Sequence, residues 1–196
     1  MHFDFVRNCG QVEMAALNWV MLAEKTREPL ALPREKWLQS FGSVSLSLSP
    51  SLPGAPLHDK PQGDLRNERK AAGIAHISNL RIVFVADSAI SPTSTISSTA
   101  SSSTAVETLS LPYGALEGRF VQPIFHSNYF EALCLPASDG NLNDTPHTVR
   151  LAFKEAGAFE FYTLYEEMKS RQTSSRVAQA ESLRTFVVAH SGSTSD

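Results

Sequence analysis

Over residues 43–49, Val44, Leu46 and Leu48 alternate with serines, and over 147–153, Val149, Leu151 and Phe153 fall on one side. Period-two patterning of this kind predicts strands with one buried face. "ALNWVML", residues 16–22, predicts an earlier strand, followed by the polar loop "AEKTREP". Ile74–Ser78 and Arg81–Val85 predict a hairpin pinched at Asn79-Leu80, and the unbroken apolar run Ile82–Val85 belongs in the middle of a packed sheet. "VETLSLPYGAL", "EGRFVQPIFHSNY" and "YFEALCLPA" are short, rich in β-branched or aromatic residues, and bounded by Pro, Gly or Asn, so they predict further consecutive strands.

From Gly157 the period changes. Ala158, Phe161, Tyr162, Tyr165 and Met168 recur at three- and four-residue spacing, while Glu166, Glu167, Lys169 and Arg171 occupy the other positions, as an amphipathic helix requires. Glu167 and Arg171 are ordered for an i,i+4 pair. Val177, Ala180, Leu183 and Val187 keep a rough helical spacing, so the helix is expected to continue before fraying in "HSGSTSD". The fold class implied is mainly β (α+β): antiparallel strands forming a sandwich or partly open barrel, with one C-terminal amphipathic helix plugging an open end.

The chain of 196 residues, 42% hydrophobic, suits one domain plus poorly packed sequence. Residues 1–13 are expected to be an extension ahead of Met14, 14–172 the domain, and 173–196 a helical extension and tail. Pro50 and Pro53 stop the serine-alternating strand, and residues 50–70 form a loop rich in Pro, Gly and charge. "DSAISPTSTISSTASSST", residues 87–104, cannot bury enough apolar surface to offset chain entropy and reads as a disordered insertion.

Seventeen basic and 20 acidic side chains give a formal charge of -3, so no global field holds nucleic acid or an anionic membrane, and DNA contact is expected only through partner proteins. No signal-peptide pattern or membrane-length apolar run appears, which leads to the expectation of an intracellular protein. Cys9 and Cys134 are far apart and read as unpaired thiols, Cys134 within a strand; Asn143-Asp-Thr145 is a glycosylation acceptor in form only. The six histidines stand singly at 2, 58, 76, 126, 147 and 190, and no nucleophile elbow, zinc-protease pair or phosphate loop is present. His76 reads as a hydrogen-bonded structural histidine inside a strand. Glu160 with Glu166 or Glu167 reads as a solvated helix face rather than an acid/base pair. No catalytic residue, metal or cofactor is expected.

The motifs taken in order resemble the GRAM-type, pleckstrin-homology-like domain of the WW domain-binding protein 2 family, especially its fungal members, over about residues 16–172. Gly73, His76, Ile77 and Ser78 followed by Arg81, Ile82, Val83 and Phe84 match a paired-strand motif. Gln122, Pro123, Ile124, Phe125, Asn128 and Tyr129 match a second motif, with His126 in place of its glycine. Phe153, Lys154, Gly157, Ala158, Glu160 and Phe161 match a third, with Ala156 replacing one glycine. The resemblance implies a non-catalytic adaptor, associated with chromatin as a transcription coactivator, in nucleus and cytoplasm. Family members bind WW domains through Pro-Pro-x-Tyr; none of the 11 prolines here adjoins another, so no direct WW binding is expected.

The rival expectation is a phosphoinositide or membrane module. Pleckstrin-like folds often hold such headgroups between early strand loops, and Lys25, Arg27, Arg34 and Lys36 fall in the loop region after the first predicted strand, interleaved with Glu24, Glu28 and Glu35 for a local excess of one positive charge.

Overall fold

The computed structural model describes residues 15–51, 68–87, 105–137, 140–142 and 145–191, with the backbone path alone for 176 and 178–191. The expectations for residues 1–13, for most of the 50–70 loop, for the Ser/Thr-rich insertion beyond Asp87 and for Cys9 and Asn143 lie outside the described residues.

Eight strands form one antiparallel sheet: β1 (Ala16–Leu17), β2 (Trp37–Pro50), β3 (Arg69–Ser78), β4 (Arg81–Ala86), β5 (Thr108–Pro112), β6 (Leu116–Val121), β7 (Tyr129–Cys134) and β8 (His147–Phe153). Their order across the sheet is β1-β5-β4-β3-β2-β8-β7-β6, and α1 (Ala158–Ser191) follows. The sheet curls into a half-barrel closed by α1; of the two architectures expected, it is the partly open barrel, one continuous sheet rather than two stacked ones.

β2 joins the two halves. Val44–Leu48 pairs with β3 on one side and β8 on the other, whereas Phe41 and Gln39 reach β3 alone. A register shift between Phe41 and Val44 inserts one extra residue, and Ser43 adopts φ 53° there. Such a bulge bends a strand. It also hides the alternation, which is why the sequence suggests only the serine-rich half of a 14-residue strand.

The interior is lined by one face of every long strand. On β8 the burial pattern alternates strictly, with Val149, Leu151 and Phe153 inside as expected. α1 closes this interior with Ala158, Phe161, Tyr165 and Met168, all buried. Phe161 meets Phe41, Phe130 and Phe153 with ring centroids 5.3, 5.2 and 5.2 Å away, and Tyr165 lies 4.9 Å from Phe130. The Tyr165 hydroxyl accepts the Gly118 N–H and donates to Leu116 O, stitching the helix to the outer edge of β6. A Cβ at Gly118 would stand 2.4 Å from the Phe130 ring, so that close approach requires glycine. Gly157, at φ 136°, turns β8 into the helix, whose first backbone bond runs from Phe161 N–H to Gly157 O. The helix passes residue 172 without a break; Gln172 is tethered to Asn79 O and Leu80 O.

Two expected strands are corrected. "ALNWVML" contributes only Ala16–Leu17, because Asn18 turns the chain at φ 57° while its side chain ties to Ala105 O and to the Glu107 and Thr108 N–H groups. "EGRFVQPIFHSNY" stays a strand only to Val121; from Gln122 the chain leaves the sheet, and Pro123 has no N–H for a ladder. His126, standing where the resembled motif has glycine, is not among the positive-φ residues, so the loop forms without the backbone freedom glycine supplies.

Candidate functional site

The chain between β1 and β2, residues 18–36, forms a strap across the outer face of β3, β4 and β5. Leu22 bridges to Pro29, and Leu30 N–H donates to Met21 O, so the strap is itself a small two-stranded excursion. It explains the apolar run in β4: Ile82 and Phe84 face the interior, while Val83 and Val85 face outward and are buried as well.

One ion pair pins the strap. The Glu35 carboxylate accepts Arg81 Nε at 2.9 Å and Nη2 at 3.0 Å, the Ser78 hydroxyl at 2.8 Å and the Leu32 N–H at 2.7 Å. Both side chains are almost wholly buried. Burial pushes the Glu35 carboxyl upward, but the Arg81, Leu32 and Ser78 hydrogen bonds and the Arg81 charge outweigh it and hold the group below its ordinary 4.5. Beside it, Asn79 receives Lys36 N–H at Oδ1 and donates from Nδ2 to Arg34 O. Under the other end of the strap, His76 hydrogen-bonds Ser40 Oγ through Nδ1 at 2.8 Å and packs edge-on against Trp37. Burial lowers its pKa against the opposing pull of Glu28, so it is a neutral structural histidine, as expected from its place in a strand.

All four candidate cations are exposed on the strap, but they separate into two pairs. Lys25 and Arg27 sit on the turn near Ala86 and Asp87, and Arg27 lines two shallow clefts of about 210 and 350 Å³ there. Arg34 and Lys36 flank the Asn79-Leu80 turn at the far end of the same hairpin. From Arg81 to Ala86 is five residue steps, roughly 17 Å at strand rise. The strap precedes the first long strand instead of joining two long strands; the β2–β3 connection, 52–67, lies outside the described residues. Glu35 also leaves the charge balance, since it is buried against Arg81. The exposed strap carries four cations against Glu24 and Glu28, an excess of two rather than one.

The composition of the strap's outer surface was missed from sequence. Trp19 is 55% exposed, Met21 72% and Leu30 47%; Trp19 and Met21 read as strand core when 16–22 is taken as a strand, and Leu30 lies beyond that stretch. A second apolar surface lies at the β6–β7 connection, where Ile124 is 90% and Phe125 88% exposed. Near its base, Phe120 packs against Tyr162 and against the exposed Phe159.

Among the described residues, no strap covers the opposite half of the sheet. Its outer face carries a row in cross-strand register, Lys70–Ser47–Arg150–Glu131–Arg119. Glu131 accepts Arg119 Nε at 3.0 Å and Arg150 Nη2 at 2.8 Å, Ser47 bonds Glu68, and Glu68 pairs with Lys70. Cys134 points inward from β7, its thiol pushed up to about 12 by burial. Glu160, Glu166 and Glu167 are exposed on the helix. Among the described residues there is no group of three or more His, Cys, Asp or Glu placed to hold a metal ion, and no helix long and apolar enough to cross a membrane.

No protein-family model and no curated protein matches this chain. Among solved structures it is similar to the Vps36 N-terminal PH domain, with TM-score 0.47 and 14% identity over 81% of this chain and 96% of that one.

Proposed function

We propose that this chain is a non-catalytic, pleckstrin-homology-like adaptor. The observation that carries the reading is the β6–β7 connection, where Ile124 and Phe125 stand almost fully in solvent between two paired strands. Adjacent exposed apolar side chains of this size mark a contact surface, since scattered single ones are the norm on a monomer. Membership of the WW domain-binding protein 2 family, coactivator association with chromatin through partner proteins, and a nuclear and cytoplasmic distribution rest on the motif resemblance alone. The test is affinity capture from nuclear extract with the full chain and with Ile124→Ser/Phe125→Ser. Loss of a defined set of partners in the variant, with its melting temperature unchanged, supports the adaptor; identical sets from both proteins oppose it.

A second reading, lipid binding by Lys25, Arg27, Arg34 and Lys36, is favoured by one observation: with Glu35 buried against Arg81, the Arg34–Lys36 end of the strap presents two exposed cations and no exposed carboxylate of its own. Salt-sensitive co-sedimentation with phosphoinositide-containing vesicles tests it.

A further inference from the structure

α1 outlasts the domain it closes. Its last described hydrogen bonds to the rest of the domain are made by Gln172, to Asn79 O and Leu80 O, yet the helix continues to Ser191. Residues 173–191 span roughly 28 Å at helix rise, and Val177, the one apolar side chain described there, is 53% exposed. A helix draws most of its stability from packing an apolar face, and Thr173, Ser174, Ser175, Ser182 and Thr185 are poor helix formers. The overhang therefore lacks the support that α1 finds inside the domain. Val177, Ala180, Leu183 and Val187 recur at steps of three, three and four, which sets these positions along one stripe.

We propose that this overhang pairs with the same segment of a second copy of the chain, the two helices running antiparallel. The stripe is its own complement when reversed. With Ser182 level with Ser182 of the second copy, Val177 comes level with Val187, and Ala180 falls within one residue of Leu183, so that a small position meets a large one. The same register overlaps the overhangs fully, since position 191 of one copy lies level with 173 of the other. It also suits the charges, which are Arg176, Glu181 and Arg184 over residues 173–191. A parallel pair in register sets each of them level with its own kind. The antiparallel register instead brings Glu181 within one residue of Arg184 of the second copy, and does so twice, and charge pairing of this sort fixes helix orientation. Each helix C-terminus, the negative end of its dipole, then reaches the end of the other domain that carries the exposed Arg34 and Lys36 beside Asn79. A single two-helix seam of this length falls short of the roughly 800 Å² per partner of a standard interface, so the pair is a weak dimer whose population follows concentration.

The test is sedimentation of the full chain over a concentration series reaching the millimolar range. Expected are a mass that rises from 21.4 kDa toward twice that value, and association weakened at least about tenfold in Leu183→Ala/Val187→Ala. Alanine is the best helix former, so the loss reports the seam and not the helix, and an unchanged melting temperature in dilute solution verifies the domain. Direction is read by mixing Val177→Cys and Val187→Cys proteins, both carrying Cys9→Ser, under oxidation; Cys134 is buried and stays out of the exchange. The antiparallel seam should yield the disulfide between positions 177 and 187 in excess of either self-linked product. A chain that stays monomeric throughout would overturn the proposal, as would a dimer indifferent to Leu183→Ala/Val187→Ala. A preponderance of 177–177 and 187–187 links would reject the antiparallel pair.

Discussion

The two halves of one sheet treat their outer faces in opposite ways. Over β3–β4–β5 the face is roofed by the strap, and Val83, Val85 and the Glu35–Arg81 pair are withdrawn from water. Over β2–β8–β7–β6 no described segment roofs the face; the serines and the Arg119 and Arg150 guanidiniums reach solvent, while the Glu131 carboxylate is buried between them. The interior faces of the two halves are alike. The difference shows that a charged pair has no fixed worth: Glu35 and Arg81 are both withdrawn from water, whereas Glu131, itself buried, is paired with guanidiniums that still reach solvent.

The largest effect is expected from breaking the anchor. Arg81→Met leaves the Glu35 carboxylate buried without its main partner, and loss of one member of a buried pair costs about 3–5 kcal/mol. Denaturant titration should show it as a lowered midpoint. Adding Glu35→Leu should recover part of the loss, because the uncompensated charge is gone, but not all of it, since the Leu32 N–H and Ser78 hydroxyl lose their acceptor. A single Arg81→Met that leaves the midpoint in place would mean that the strap does not pin the fold. On the bare half, Glu131→Gln weakens contacts to two partly exposed guanidiniums and should cost only about 1–2 kcal/mol.

Acid should weaken both halves. His76, beneath the strap, has a folded pKa depressed below its ordinary 6.5, first by burial. The unfolded chain therefore binds more protons as pH falls below 6.5, and stability declines from there downward. His147 follows the same rule, its pKa lowered chiefly by burial. Glu35 adds a second decline: its folded pKa lies below 4.5, so its contribution is complete above that pH and is lost as pH falls through the depressed value. Melting temperatures between pH 8 and pH 3 should bend downward twice. In His76→Gln the first bend should shrink; an unaltered profile would assign it to His147.

Much of this division was legible in sequence, and the missing part has a physical cause. The unbroken run Ile82–Val85 announced a strand covered on both sides, and the serine alternation in Val44–Leu48 announced a bare outer face. What covers β4 was not legible. Beyond Leu22 the strap has no helical or strand period, and its fixing residue, Glu35, looks like any other loop carboxylate until Arg81 is brought against it from 46 positions away. Its cations were found because charge is visible in sequence. Trp19 and Met21 were missed because apolar residues in an extended stretch read as core, and only the turn at Asn18 shows that they have left the sheet. Ile124 and Phe125 were misplaced for the same reason beyond Val121.

The smallest effect makes the sharpest contrast. Val83 and Ser45 both point outward from neighbouring parts of the sheet, but Val83 is fully buried beneath the strap and Ser45 is half-exposed. Val83→Ser removes two methyl groups from a packed layer and puts a hydroxyl in their place, which should cost about 2–3 kcal/mol. Ser45→Val makes the reverse exchange on the bare half. Nothing covers its new methyl groups, while valine has the better strand propensity, so the change should stay within about 0.5 kcal/mol of zero. Equal and opposite values for the two substitutions would mean that both faces are covered to the same extent in solution. A large cost for Val83 beside a negligible change for Ser45 would place the cover on one half only, where the strap lies.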